Sequence, residues 1–437
     1  MQSGGLISAS AVRLRLITGL AVTLLSGSLQ AQVTLNVATG TAGLDYWLLQ
    51  SAVNRFMLHN PDIEVRVLLT PELTDDRLTL LRNFFEVGSP ELDVLQLDVI
   101  WIPELAPHLL ELSSLQTTAA AIHPRLLEQM TVSERLVAMP WFSSFGLLYY
   151  RSDLLAAHDL AVPTTWTELA EKARIVQASE RAAGNRDFWG FVWQGDDYEG
   201  LTVNAIEWFA SSRGGRLIEL DGTISVANGN AARALERARS WIGDISPPAV
   251  LSFTEDDAFE QFVHGNALFM RSWPSYHAQL RDSPRLMGRY GVTLLPAGEN
   301  AGSGPTGVYG GSGLAVSAYS REPAAALRLV EFLSSESEQR AAAWDGSRIP
   351  TRSELWFDRE VITAIPFLPE LLPLHSTAVR RPVWLVNGLW SNASRATYST
   401  VHSVLRGEED AGTALEQLAG QLQLVTGLPD TATEPFP

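Results

Sequence analysis

Apolar and polar residues alternate over residues 33–37, which marks a first strand, and Thr39-Gly40-Thr41-Ala42-Gly43 then reads as a turn. From residue 46 to 58 apolar side chains recur at helical spacing until Asn60-Pro61 stops them, and residues 63–69 form a second strand. The pattern repeats: 94–99 is an apolar strand, 102–112 is helix-like and 146–150 is another strand. An α/β sheet architecture follows. Thr165 and Glu168 stand in capping-box spacing ahead of an amphipathic helix over 165–180, and 229–241 and 255–264 show the same helical pattern. Strand-like 268–271 and 291–295 precede a glycine-rich stretch at 302–313. Strand 314–316, a helix over 323–334 and a final amphipathic helix from residue 408 complete the chain. No repeat, heptad run or low-complexity linker interrupts it, so domains joined this way exchange the chain more than once.

With 437 residues the chain is too long for one small module, and with 46% hydrophobic and 19% charged residues it can build a globular core. Acidic residues outnumber basic ones 49 to 32, a formal charge of -17 that repels phosphate backbones and argues against nucleic-acid binding. Cysteine is absent, which excludes disulfides, thiol nucleophiles and Cys-ligated metals. Arg13 and Arg15 precede an apolar run over 16–25 and small residues leading to Ala31, the layout of a secretory signal peptide over 1–31. Since no cysteine follows for acylation, the expectation is a soluble periplasmic product rather than a lipoprotein.

Chemical motifs are sparse. The 39–43 turn opens a helix and its N–H groups can hold a hydroxyl or an anion, but it lacks the P-loop pattern, and on local sequence a plain tight turn is the preferred reading. Gly302-Ser303-Gly304-Pro305-Thr306-Gly307 formally matches a dinucleotide fingerprint, yet Pro305 and the strand that follows do not suit one. The eight histidines are scattered with no zinc-ligand spacing, so neither a metal nor a cofactor is expected. Carboxylates are plentiful, which leaves a glycosidase open. Aromatic residues beside isolated polar ones are the distinctive feature: Asp98-Val99-Ile100-Trp101, Pro140-Trp141-Phe142-Ser143-Ser144 and Arg271-Ser272-Trp273-Pro274-Ser275-Tyr276. A pyranose offers an apolar face to a ring and hydroxyls to carboxylates and Arg forks, although any one of 13 tryptophans can equally be core. Asp98, ending an apolar strand, needs partners if buried.

These segments, with Gly146-Leu147-Leu148-Tyr149-Tyr150-Arg151, Trp193-Gln194-Gly195, Tyr198-Glu199-Gly200-Leu201, Gly310-Gly311, Pro350-Thr351-Arg352 and Arg381-Pro382, give the chain its resemblance. It resembles the extracellular solute-binding proteins of ABC sugar importers, trehalose/maltose type. The resemblance implies a two-lobe periplasmic-binding-protein fold of the maltose-binding type, with 32–142 plus 306–345 as the first lobe and 143–305 plus 346–437 as the second. It implies no catalysis, a small-molecule sugar in the interlobe cleft, ABC permease subunits as partners and a monomeric state. Carried over by motif, Asp45, Arg77 and Asp98 would take sugar hydroxyls, Trp273 would stack, Gly310 and Gly311 would offer backbone contacts and Arg381 would reach the ligand. Trp101, Phe142, Ser144 and Tyr276 complete the candidate set. Ser144 stands where the subgroup usually has Asp, and Ser312 where an aromatic often follows Gly-Gly, so the hydroxyl pattern read by the cleft differs. The ligand classes implied are trehalose-, maltose-, sucrose- or glucosylglycerol-like α-glucosides; the rivals are an exported glycoside hydrolase and a binding protein for a non-sugar solute.

Overall fold

The alternation at residue 33 becomes β1 (Val33–Thr39) in the computed structural model, which describes residues 33–40, 44–71, 73–300, 302–386 and 388–430. The leader expected over 1–31 and turn residues Thr41, Ala42 and Gly43 lie outside the described residues. Parallel pairing of β1 with β2 (Ile63–Leu69) and β3 (Val94–Asp98) builds one half of a larger sheet, and helices Asp45–His59 and Thr74–Glu86 supply the crossovers. The first helix turns Leu48, Leu49, Ala52, Val53 and Phe56 inward, the face that its sequence spacing predicts. The helix expected over 102–112 is shorter: Ile102–Leu105 continues as a 3₁₀ turn, Ala106–His108, and the chain is extended at Leu109. Pro107 explains the break, because its nitrogen has no hydrogen to continue the ladder.

A small hairpin of β4 (Thr131–Val132) and β5 (Arg135–Leu136) leads to β6 (Met139–Phe145), and a single residue, Gly146, separates β6 from β7 (Leu147–Tyr150). Next come β8 (Trp189–Val192), β9 (Ala267–Ser272), β10 (Gly291–Leu294), β11 (Tyr309–Val316) and β12 (Ile349–Pro350). The six-stranded sheet runs β12-β6-β11-β3-β1-β2, with β11 antiparallel to both its neighbours, and the four-stranded sheet runs β10-β7-β9-β8. Each sheet centres one lobe of the two-lobe α/β fold. Ser143–Phe145 and Ile349–Pro350, both expected in the second lobe, pair instead in the six-stranded sheet, because β6, after a register shift between Ser312 and Gly313 of β11, goes on pairing from Ser312↔Phe142 to Tyr309↔Phe145.

Among the described residues, three crossings join the lobes. The first is Gly146, the second leads from β10 into β11, and the third follows Val379, whose amide donates to the Gly307 carbonyl at 3.1 Å and whose carbonyl accepts from Tyr309 at 2.8 Å. After the third crossing, helices Trp390–Arg406 and Ala411–Thr426 pack in the second lobe against helices Glu199–Ser211 and Gly229–Trp241. Much of the tryptophan serves that lobe's core. Trp166, Trp193, Trp208 and Trp241 meet ring on ring at 5.1–5.9 Å, and the Trp166 and Trp193 indoles donate to Ser211 and Ser246.

Helix Glu199–Ser211 is interior: of its thirteen residues only Ala210 is not buried. Its Glu207 forms a bidentate ion pair with Arg271 of β9, at 2.7 and 2.9 Å, and both side chains are 1% exposed. A Cβ at Gly146 would clash with the Glu207 carboxylate and stand 2.6 Å from Arg271 Nη2, so the first crossing requires glycine. Gly146→Ala is therefore expected to prise this pair apart and lower the unfolding free energy by about 3–5 kcal/mol, as breaking a buried pair does. Chemical denaturation measures it, and a loss under about 0.5 kcal/mol, typical of an innocuous surface change, would contradict the geometry.

Candidate ligand-binding site

Between the sheets opens a cleft whose empty space, out to the solvent boundary, is about 1050 Å³, at the upper end of the usual range for ligand pockets. Its first-lobe wall comes from strand and helix ends. Asp45 begins the helix after β1, and its Oδ2 accepts from Gln96 Nε2 at 3.0 Å while Arg348 forms an ion pair with it. Gln96 in turn accepts from the Thr39 hydroxyl. Arg348 also lies over the Phe142 ring at 4.3 Å, which places Phe142 on this wall. Arg77, from helix Thr74–Glu86, is packed against Gly40 and reaches the Gln96 carbonyl at 3.5 Å; its Nε is buried and has no partner among the described residues. Burial pulls the Arg77 guanidinium down to about 10, opposed only by the charge of Asp98.

Asp98, at the end of β3, caps the following 3₁₀ turn by accepting from the Ile100 amide at 3.1 Å, and Arg381 stands 3.4 Å from it. The partners demanded by a carboxylate in an apolar strand are thus supplied by the protein. Arg381 also binds Glu199 of the second lobe at 2.8 Å, so one guanidinium just after the third crossing bridges acids from both lobes. Burial pushes the Glu199 carboxyl up, against the pull of Arg381 and the Ser394 hydroxyl. On Arg381 burial acts downward, and the Asp98 and Glu199 charges outweigh it, so the guanidinium is held above its ordinary value.

The second-lobe wall is aromatic. Trp273 follows β9; its indole N–H donates to Glu255 Oε1 at 3.2 Å, its carbonyl accepts from Tyr149, and Arg271 stands 4.0 Å from the ring centroid. Tyr198 donates to the other Glu255 oxygen at 2.5 Å and Tyr276 to Asp256 at 2.5 Å. Facing Trp273 is Gly310 of β11, where a Cβ would stand 3.3 Å from the indole; Gly311, at φ +137°, would bring a Cβ to 2.5 Å from the Phe142 carbonyl. Glycine at both positions lets the strand backbone approach the ring. Ser144 pairs with Gly310 across the strands, and Ser312 turns its hydroxyl to the Leu97 carbonyl at 2.9 Å.

Of the eleven candidate positions, Asp45, Arg77, Asp98, Phe142, Ser144, Trp273, Tyr276, Gly310, Gly311 and Arg381 line this cleft. Trp101 does not. It is 2% exposed in the turn after Asp98, where its ring sits 5.1 Å from the Arg77 guanidinium and supports it from behind. The cleft also holds Gln96, Tyr198, Glu199, Glu255 and Arg348, which sequence reasoning did not single out as ligand contacts. Tyr198 and Glu199 lay within the Tyr198-Glu199-Gly200-Leu201 segment used for the resemblance, and Glu255 follows Thr254 in a capping box; these were the available signals. Each cleft carboxylate (Asp45, Asp98, Glu199, Glu255) already has an Arg, Tyr, Trp or Gln partner. The arrangement can present fixed donors and acceptors to hydroxyls beside one ring.

The chain matches the family model described as bacterial extracellular solute-binding protein over residues 38–340. It is 36% identical over 415 residues, 94% of this chain and 98% of the relative, to a probable ABC transporter-binding protein of Deinococcus radiodurans. Among solved structures it is similar to maltose-bound MalE3 of Thermotoga maritima, with TM-score 0.84 and 32% identity over 90% of this chain and all of that one. A solute-binding protein from Thermotoga lettingae, solved with α-D-tagatose, shares the fold at TM-score 0.79 and 21% identity, covering 90% of this chain and 100% of that one. These relatives are binding proteins rather than enzymes.

Beside Tyr276, His277 is buried, with its ring edge-on to Phe367 at 5.1 Å and its Nδ1 2.7 Å from the Tyr290 hydroxyl. Burial, reinforced by Arg281, pulls its pKa down to about 4. The unfolded value is about 6.5, so this histidine's contribution is complete above pH 6.5 and is lost as pH falls through 4, by about 3 kcal/mol. Urea denaturation at pH 7 and pH 4.5 is expected to show that loss, and His277→Gln to flatten it; equal pH dependence in the variant would contradict the assignment.

Proposed function

Because the chain belongs to the family of bacterial extracellular solute-binding proteins, we propose that it captures an α-glucoside in the interlobe cleft and delivers it to the permease subunits of an ABC importer. The observation that carries this reading is Trp273, a ring fixed at its edge by Glu255 and backed by Arg271, facing a wall of paired carboxylates and arginines. A pyranose suits such a cleft: its C–H face stacks on the indole while its hydroxyls meet charged partners held in place. The similarity to a maltose-bound MalE3 supports a maltose-like ligand, and the resemblance in the sequence adds trehalose-like, sucrose-like and glucosylglycerol-like glucosides. Ser144, in place of the acid usual in the resembling subgroup, supplies a neutral hydroxyl, which favours a glucoside that needs one charge-assisted hydrogen bond fewer.

Binding acts through closure. A ligand that touches both walls only when the lobes are together shifts the population toward that arrangement by its differential affinity. In this reading the receptor works as a monomer in the periplasm.

A thermal-shift screen of residues 32–437 against mono- and disaccharides, glucosylglycerol and polyamines, with chromatography of every hit, tests the reading. The expected result is a large shift with an α-glucoside recovered intact; shifts with polyamines alone, or cleavage of the bound sugar, would overturn it. Trp273→Ala is expected to fold and to lose sugar binding, and undiminished affinity by calorimetry would remove the stacking role. Asp98→Ala should cost about 1.5–3 kcal/mol of affinity, the size of a charge-assisted hydrogen bond.

A further inference from the structure

We propose that Glu207 is a positioning residue that couples the Trp273 platform to the hinge, an inference that rests on the carbohydrate-receptor reading and specifies how that same site is regulated. Glu207 touches no ligand position; it acts through Arg271. The Arg271 guanidinium lies 4.0 Å from the Trp273 ring centroid, and its orientation is set by two bonds to Glu207 and one to Gln194 Oε1, at 2.9, 2.7 and 3.2 Å. Gln194 Nε2 returns a bond to the Arg271 carbonyl at 3.1 Å, which fixes the strand end that carries Trp273.

The other side of the carboxylate faces the hinge. Glu207 Oε1, the oxygen that receives Arg271 Nη2, also accepts from the Val308 amide at 3.1 Å. Val308 belongs to the second crossing and bridges to Val379 at the third, but that bridge uses the Gly307 carbonyl and the Tyr309 amide, so the Val308 N–H serves Glu207. Gly146, the first crossing, lies against the same carboxylate and guanidinium. Lobe rotation is absorbed by backbone torsions at a few such residues. A single carboxylate oxygen is therefore shared between the support of the stacking ring and a peptide that moves when the lobes turn.

The interior helix that carries Glu207 leaves the carboxylate little freedom to follow the crossing. Opening the lobes withdraws Val308 from Glu207, and stacking on Trp273 stabilises the Arg271–Glu207 geometry that accepts Val308. By reciprocity, closure firms the platform as much as a stacked ring favours closure.

The chain has no native cysteine, so a Leu58→Cys/Leu424→Cys pair, exposed on the first and second lobes, takes fluorophores only at those sites. Single-molecule energy transfer without sugar then reads the open-to-closed ratio. Glu207→Gln in this background is expected to shift the ratio toward open about tenfold, the factor for losing one charge-assisted hydrogen bond. Glu207→Asp keeps the charge for Arg271 but withdraws the oxygen from Val308; it should give the same shift, and it carries the test if the Gln variant does not fold. A pair with only a structural role would lower the unfolding midpoint and leave the distance distribution unchanged, which would overturn the proposal. Maltose titrations follow: about tenfold weaker binding in Glu207→Gln is expected. If the parent binds none of the α-glucosides of the thermal-shift screen while the sugar-free ratio still shifts, the α-glucoside reading falls and the coupling stands.

Discussion

A carboxylate taken out of water must be paired or neutralised, and the Glu207 side chain is almost fully enclosed. Its pairing with Arg271 constrains everything around it. The first crossing must be glycine because any Cβ there would occupy the space of the pair. The second crossing turns an amide toward it, and the ring that we assign to sugar stacking rests on its cation. Replacing the pair with apolar residues of similar volume can be neutral for stability in general, so its place against the first two crossings argues for a role in geometry.

A second ionic set, Asp98 and Glu199 on Arg381, spans the lobes further along the cleft. Glu199 and Glu207 lie on the same interior helix, so one element of the second lobe meets the third crossing at one end and the first two near the other. The remaining charges of the cleft are similarly engaged: Asp45 with Arg348, Glu255 with Tyr198 and Trp273. Such prepaired groups resist reorientation, so hydroxyls arriving between them meet donors and acceptors already in place. Arg77 is the exception, held by packing on Gly40 and Trp101 and by one long bond. Its Nε has no hydrogen-bond partner among the described residues, which leaves a donor for a ligand hydroxyl.

Much of this was legible from the chain. Period-2 and period-3.6 patterns marked β1, β2 and the helices at 45–59, 166–182 and 229–241 within one or two residues, because each has one apolar face, and β3 was marked by its unbroken apolar run, since it is buried on both faces. The 199–211 helix escaped for the opposite reason: it is buried all round and has no polar stripe to set its period. Strand β6 escaped because Pro140 and consecutive buried aromatics hide its alternation. At the cleft, Asp45, Asp98, Trp273 and the Gly310-Gly311 pair came from motif resemblance, whereas Arg348 came from nowhere local; its partner Asp45 is 303 positions away, and only the sheet order brings them together. Trp101 was misplaced since adjacency to Asp98 says nothing about the 3₁₀ turn that rotates its ring behind Arg77.

The most direct measurement is the crystal structure of residues 32–437 grown with whichever α-glucoside gives the largest thermal shift. The account predicts one unbroken sugar with a ring stacked on Trp273, hydroxyls on Asp45, Arg77 and Asp98, and the Val308 amide on Glu207. A sugar bound outside the cleft, a cleaved product, or a bound sugar with Trp273 turned away from it would contradict the account.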